Sequence, residues 1–246
     1  MAFRPGRIIA DIFETTVLVL VAVVAFRALA FANYHIPSES MVPALRVGDR
    51  IMVSKYAYGY SRFSMPFGIG GHLPPTPERL FGHLPERGDV VVFKHPHTGD
   101  DYIKRVVGLP GDRVQVLRGR VHLNGRIVER KKVRAYDYRD QSGEVARVVE
   151  YRESFRDGES HTILERTDRG AQDNTREFIV PAGHLFVMGD NRDNSSDSRD
   201  SGANGVGFVP LENVVGRAEF IAFTLNECMP EPGVPCHDGR FLSAIR

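Results

Sequence analysis

Tyr102-Ile-Lys-Arg-Val-Val-Gly108 is the stretch on which the fold turns. It is rich in aromatic and β-branched residues and its side chains alternate. Tyr102, Lys104 and Val106 fall on one face, Ile103 and Arg105 on the other. It reads as a strand carrying two cations among apolar neighbours. Working outward, similar short runs occupy Arg50 to Lys55, Val90 to Phe93, Arg113 to Leu117, Val121 to Leu123, Arg126 to Val128, Phe178 to Val180, Leu185 to Met188 and Val214 to Phe223. Gly and Pro punctuate them, and beyond the N-terminal segment no long stretch shows a 3.6-residue apolar stripe, so the body is expected to be mostly β. Asn124-Gly125 predicts a two-residue hairpin turn. The Asp residues of Gly48-Asp49, Gly88-Asp89 and Gly111-Asp112, each just before a strand, read as turn formers.

The 246-residue chain is large enough for one moderate domain or two small ones. With 32 Lys+Arg against 31 Asp+Glu it has no basic excess, which argues against a nucleic-acid partner. Two cysteines, Cys228 and Cys236, are too few for a disulfide scaffold or a zinc cluster. After export they either close a small loop or remain thiols. The nine His include one close pair, His95 and His97, and no HExxH, while Asp190, Asp193, Asp197 and Asp200 lack calcium-loop spacing, so no metal and no cofactor are expected.

The N-terminus is membrane-like. From Thr15 to Ser38 the one charged side chain is Arg27, and a helix from Ile12 to Asn33 would span about 30 Å, a bilayer's hydrocarbon thickness. Arg27 lies toward the far interface, where its stem can snorkel. Arg4 and Arg7 before the span place residues 1–11 in the cytoplasm and the rest outside. The alternative is a cleavable secretory signal ending at Ala28-Leu29-Ala30 or Ala30-Phe31-Ala32. Both readings export the remainder, and the anchor reading makes the lipid bilayer a partner.

Lys131 to Arg176 differs from its surroundings: 20 of its 46 residues are charged, ten of each sign, which predicts a solvent-facing inserted subdomain. Tyr56 to Leu80, with Tyr58, Tyr60, Phe63, Met65, Phe67, Ile69 and Leu73 among Gly and Pro, either lines the core or touches the bilayer.

For chemistry, no His lies in a telling context, although triad partners cannot be ruled out by spacing. A Ser/Lys dyad needs a lysine desolvated until its amine is neutral near pH 7. Lys104 on its apolar strand fits, as do the serines of Ile36-Pro-Ser-Glu-Ser-Met-Val-Pro43. Most strand lysines are solvated and most turn serines are ordinary, so neither feature alone carries an assignment.

Their company does. Four blocks, IPSESMVPAL (Ile36 to Leu45), GDRIMVSK (Gly48 to Lys55), DYIKRVVGLPGD (Asp101 to Asp112) and MGDNRDNSSDSRDSG (Met188 to Gly202), following one N-terminal span, together resemble bacterial type I signal peptidases. The resemblance implies Ser40 as nucleophile, Lys104 as general base, and Ser38 with the Ser40 amide as oxyanion hole. It further implies that Ser195 hydrogen-bonds the lysine amine, with Asp197–Arg199 and Asp190–Arg105 bracing the site. Tyr34, Ile36, Met41, Leu45, Tyr102 and Ile103 match positions lining shallow apolar subsites. Glu39 stands where Gly is common, and Ala44 where Thr is common.

The fold implied is an antiparallel β catalytic core, residues 34–130 and 177–227. Residues 131–176 would be the inserted smaller β-rich subdomain, 12–33 the transmembrane anchor and 228–246 a C-terminal tail. The function implied is a monomeric serine endopeptidase of the bacterial cytoplasmic membrane, its catalytic domain outside. It would remove signal peptides from preproteins after Ala-x-Ala-like sites through an acyl-enzyme. The rivals are a self-cleaving Ser/Lys protease, which would need a helix-turn-helix domain where this chain has a span, and a non-catalytic exported β-module, which would not explain the four blocks.

Overall fold

The computed structural model describes residues 5–65, 70, 74, 79–156, 160–200, 202, 205–225 and 239–245. Helix α1 (Pro5–Ala30) opens the chain, and its side chains from Asp11 to Phe26 are exposed. By length and composition Asp11–Ala30 is able to cross a membrane. The helix starts earlier and ends sooner than the expected Ile12 to Asn33. Strand β1 (Phe31–His35) takes over at Phe31 because it pairs antiparallel with β2 (Asp49–Ser54), Phe31 opposite Ser54 and His35 opposite Arg50. Lys55 closes the helix end: its backbone N–H donates to Ala30 O at 2.9 Å and its Nζ to Ala28 O at 3.0 Å, satisfying last-turn carbonyls.

The remaining strands are β3 (Val90–Lys94), β4 (Asp101–Gly108), β5 (Arg113–Leu117), β6 (Arg120–Leu123), β7 (Arg126–Ile127), β8 (Glu129–Arg139), β9 (Val145–Ser154), β10 (Ser160–Glu165), β11 (Phe178–Ile179), β12 (His184–Met188), β13 (Val209–Pro210), β14 (Val214–Thr224) and β15 (Phe241–Ala244). They form three antiparallel sheets. The main one runs β1-β2-β14-β3-β4-β12-β13, with β15 also on β14; the others are β10-β9-β8 and β11-β5-β6-β7. The tail expected from residue 228 onward thus ends in a strand, Phe220 pairing with Ala244. Cys228 and Cys236 lie outside the described residues, as do Phe67, Ile69 and Leu73.

Strand β3 is buried on both faces, which its unbroken apolar run requires. Val90 and Val92 face a core with Ile36, Met41, Leu45 and Ile51, while Val91 and Phe93 face another with Tyr58, Val106 and Leu185. Tyr58 and Phe63 therefore line the core, whereas Tyr56 and Leu80 at the two ends of the loop are exposed. Asn124-Gly125 makes the expected hairpin, with φ of 53° and 76°. Asp49, Asp89 and Asp112 each accept the backbone N–H three residues earlier (Arg46, 2.7 Å; Glu86, 2.9 Å; Leu109, 2.6 Å), as turn-forming carboxylates do.

The charged segment folds as a three-stranded antiparallel sheet. Its cations and anions meet across β8 and β9, Arg134 with Glu150 at 2.8 Å and Arg147 with Asp137 at 3.1 Å, each pair opposite in register. This sheet reaches the 190s loop through β10: Leu164 N donates to Asp190 O at 2.8 Å and Arg192 N to Leu164 O at 3.0 Å. Arg192 also pairs with the buried Glu153 of β9.

Candidate active site

The site forms where three segments converge. The first is the turn after β1. Ile36, Met41, Val42 and Leu45 are buried, which anchors the turn, while Ser38 stays exposed and Ser40 half-buried. The second is β4, and the third is the loop from Gly189 to Arg199 that follows β12. Across the first and second, Lys104 Nζ lies 2.7 Å from Ser40 Oγ and donates to Ile103 O at 2.9 Å. Lys104 is only 3% exposed. Burial pulls its amine down from 10.5 to about 8, with Asp197 and Asp190 opposing and Arg199 reinforcing the fall. Ser38 Oγ lies 3.5 Å from Ser40 Oγ.

Two buried ion pairs stand behind the amine. Arg105 grips Asp190 in two hydrogen bonds of 2.7 and 2.6 Å, and Arg199 grips Asp197 at 2.9 and 2.8 Å. Burial works against the Asp197 carboxylate, but Arg199 and the hydrogen bonds outweigh it and leave its pKa lowered. The structure therefore brings together Ser38, Ser40, Lys104, Arg105, Asp190, Asp197 and Arg199. Ser195 is the exception. It is buried in the same loop, yet its Oγ makes no hydrogen bond, and the contact with Lys104 implied by the resemblance is absent. Its hydroxyl lies near enough to the Asp197 carboxylate to favour the ionised form.

Among the apolar residues expected to meet substrate, Met41 and Leu45 are wholly buried and form a floor with Ile36; Tyr34 and Ile103 pack on it, half-buried. Tyr102 belongs to the opposite face, beside Phe93, its ring 5.5 Å from Lys104 Nζ. Strand β12 pairs with β4 only from Arg105 onward, so Asp101 to Lys104 has β3 on one side and no strand on the other among the described residues.

Sequence reasoning assigned no role to Gly189 and Asn191, although both stand in the quoted fourth block. Asn191 N donates to Ser40 O at 3.1 Å and Asn191 Nδ2 to Glu39 O at 3.1 Å. A Cβ on Gly189 would sit 2.2 Å from Ser195 Oγ and 2.5 Å from Ser40 O, so only glycine permits this approach. Gly189→Ala is expected to cost about 1–3 kcal/mol of stability and to slow catalysis by displacing Ser40. Thermal unfolding and cleavage assays check both, and unchanged values would show that the turn yields freely.

A serine hydroxyl beside a desolvated amine is the chemistry of a hydrolase with a serine nucleophile. Comparison with known proteins points to the same class: the family model described as signal peptidase, peptidase S26, matches residues 9–223. The chain is thus a serine endopeptidase. Signal peptidase I of Rickettsia bellii (strain OSU 85-389) is 35% identical over 219 residues, 86% of this chain and 72% of that protein. That of Rickettsia typhi is 34% identical over 219 residues, 86% of this chain and 79% of the relative. A signal peptidase I crystal structure from Enterococcus faecalis V583 is 26% identical, with a TM-score of 0.32 over 55% of this chain and 97% of that one. On the family model and these relatives, the chain belongs to the peptidase S26 family of signal peptidases.

Proposed function

We propose that this enzyme removes N-terminal signal peptides from exported preproteins, with Ser40 as nucleophile and Lys104 as general base. The observation that carries the reading is the 2.7 Å contact between the Ser40 hydroxyl and a buried amine. With its pKa near 8, roughly a tenth of the enzyme holds a neutral amine at pH 7, against roughly 0.03% for an ordinary lysine. Neutral Lys104 takes the Ser40 proton as Oγ attacks the scissile carbonyl. The ammonium then protonates the leaving amine, and a water activated by the same lysine hydrolyses the acyl-enzyme. The Ser40 N–H and the Ser38 hydroxyl receive the oxyanion, a contribution commonly of several kcal/mol.

The open side of Asp101 to Lys104 suits an extended peptide added as a strand. The floor already filled by Met41 and Leu45 favours small side chains before the cut, as in Ala-x-Ala. With α1 as anchor in the cytoplasmic membrane, and Arg4 and Arg7 holding the N-terminus inside, the β body lies outside, where an exported preprotein's signal ends. Ser40, ten residues beyond the helix end, can be no more than about 36 Å from it even on a fully extended chain. Cleavage then takes place near the bilayer surface.

The pH dependence of preprotein cleavage in detergent tests the base. Because the deprotonated amine is the active form, the rate should rise with pH through an apparent pKa near 8 and then level. A profile flat from pH 6 to 9, or a rise only above pH 10, would overturn the assignment.

A further inference from the structure

The three-stranded sheet β10-β9-β8 touches the nucleophile turn on both sides of its two serines. Before them, Gln141 Nε2, from the turn between β8 and β9, donates to Pro37 O at 3.1 Å. Between them, Glu39 is 7% exposed, and its Oε1 accepts from Tyr138 Oη of β8 at 2.5 Å. Its Oε2 takes a longer bond from Asn194 Nδ2 at 3.4 Å. After them, Val42 packs on Val148 of β9 and Leu164 of β10, with Tyr136 and Tyr138 alongside.

A carboxylate this buried is costly without partners, and the phenol is a dependable one. Burial, the hydrogen bond to Glu39 and the Glu39 charge all push the Tyr138 hydroxyl far above its usual pKa, so it stays a donor. The Glu39 backbone is held as well, its carbonyl accepting from Asn191 Nδ2 at 3.1 Å and from Val42 N at 3.0 Å. Residues flanking Ser38 and Ser40 are therefore fixed from a separate sheet, while neither serine side chain contributes to that hold.

We propose that Glu39 and Tyr138 are positioning residues for catalysis: the hairpin β8–β9 clamps the carboxylate between the two serines and so sets the aim of the Ser40 hydroxyl and the Ser38 oxyanion donor. The proposal rests on the reading of Ser40 as nucleophile. Neither residue reaches the reacting atoms. Each acts through the turn, where a displacement of about 1 Å is enough to cost about 100-fold in rate.

Preprotein cleavage by the full-length enzyme in detergent tests it, with kcat and KM separated. Tyr138→Phe is expected to lower kcat by roughly 10- to 100-fold, with KM within about twofold and the rise in rate still near pH 8. Glu39→Gln, which keeps acceptor and volume, should lose less than Glu39→Ala. In the double variant Tyr138→Phe/Glu39→Ala, kcat should fall less than the product of the single losses, because the two act as one unit. Wild-type kcat in Tyr138→Phe, or a change confined to KM, overturns the clamp. If Tyr138→Phe does not fold, the order of Glu39→Gln and Glu39→Ala decides, and equal losses in those two overturn it. Ser40→Ala keeps the two readings apart. An active Ser40→Ala sinks the nucleophile assignment itself, whereas an inactive one beside a fully active Tyr138→Phe sinks only the clamp.

Discussion

Ser40→Ala and Lys104→Met should each lower preprotein cleavage by roughly 10⁴-fold or more, with circular dichroism unchanged. The fold should survive both. Ser40 is half-buried and its hydroxyl touches two polar groups, Lys104 Nζ and Ser38 Oγ. Methionine keeps most of the buried lysine stem while removing an amine whose desolvation opposes folding. The proposed nucleophile and base would act in one step, so the double variant should be scarcely slower than either single one. A Lys104→Met enzyme retaining more than about 1% of the wild-type rate would place the base elsewhere, however short the Ser40–Lys104 contact.

Why that pair was legible while its surroundings were not is a question of range. Apolar runs such as Val90 to Phe93 announce strands because burial on both faces demands unbroken hydrophobicity. In Glu129–Arg139 the stabilising contacts are between opposite charges on separate strands, so neither strand alone carries the pattern. Phe31–His35 was hidden differently: it continues an apolar helix, and only its pairing with Asp49–Ser54 ends that helix at Ala30.

At the site, Ser40 and Lys104 are visible through the blocks around them, and the blocks also name both braces. The clamp at Glu39 is not visible. Its partner stands 99 residues away on a strand that itself read as solvated surface. Gly189 was in plain view without a role, because a close approach to the Ser40 carbonyl has no local sequence signal.

Asp197 stands behind the proposed base, and substituting it should separate its effect on stability from its effect on catalysis. Its carboxylate is fully buried, holds Arg199 through two side-chain bonds and accepts from Gly189 N at 3.0 Å. Asp197→Ala leaves the guanidinium without its counter-charge, although Arg199 Nη2 still donates to Arg192 O at 2.6 Å. A loss of about 3–5 kcal/mol is expected, or roughly 6–20 °C in Tm. Asp197→Asn preserves the shape and removes only the charge, which makes it the informative variant for chemistry. Asp197 opposes the effect of burial on Lys104 by favouring the ammonium, and Arg199 pushes the other way. Without that negative charge, burial and Arg199 still lower the lysine pKa and Asp190 alone opposes them, so it falls further. The rise in cleavage rate should therefore move below pH 8, giving a larger neutral fraction at acidic pH together with a less basic amine. A profile that stays near 8 or moves upward would show that the Asp197 charge does not act on the amine, and that its place in the site is confined to holding Arg199 and Gly189.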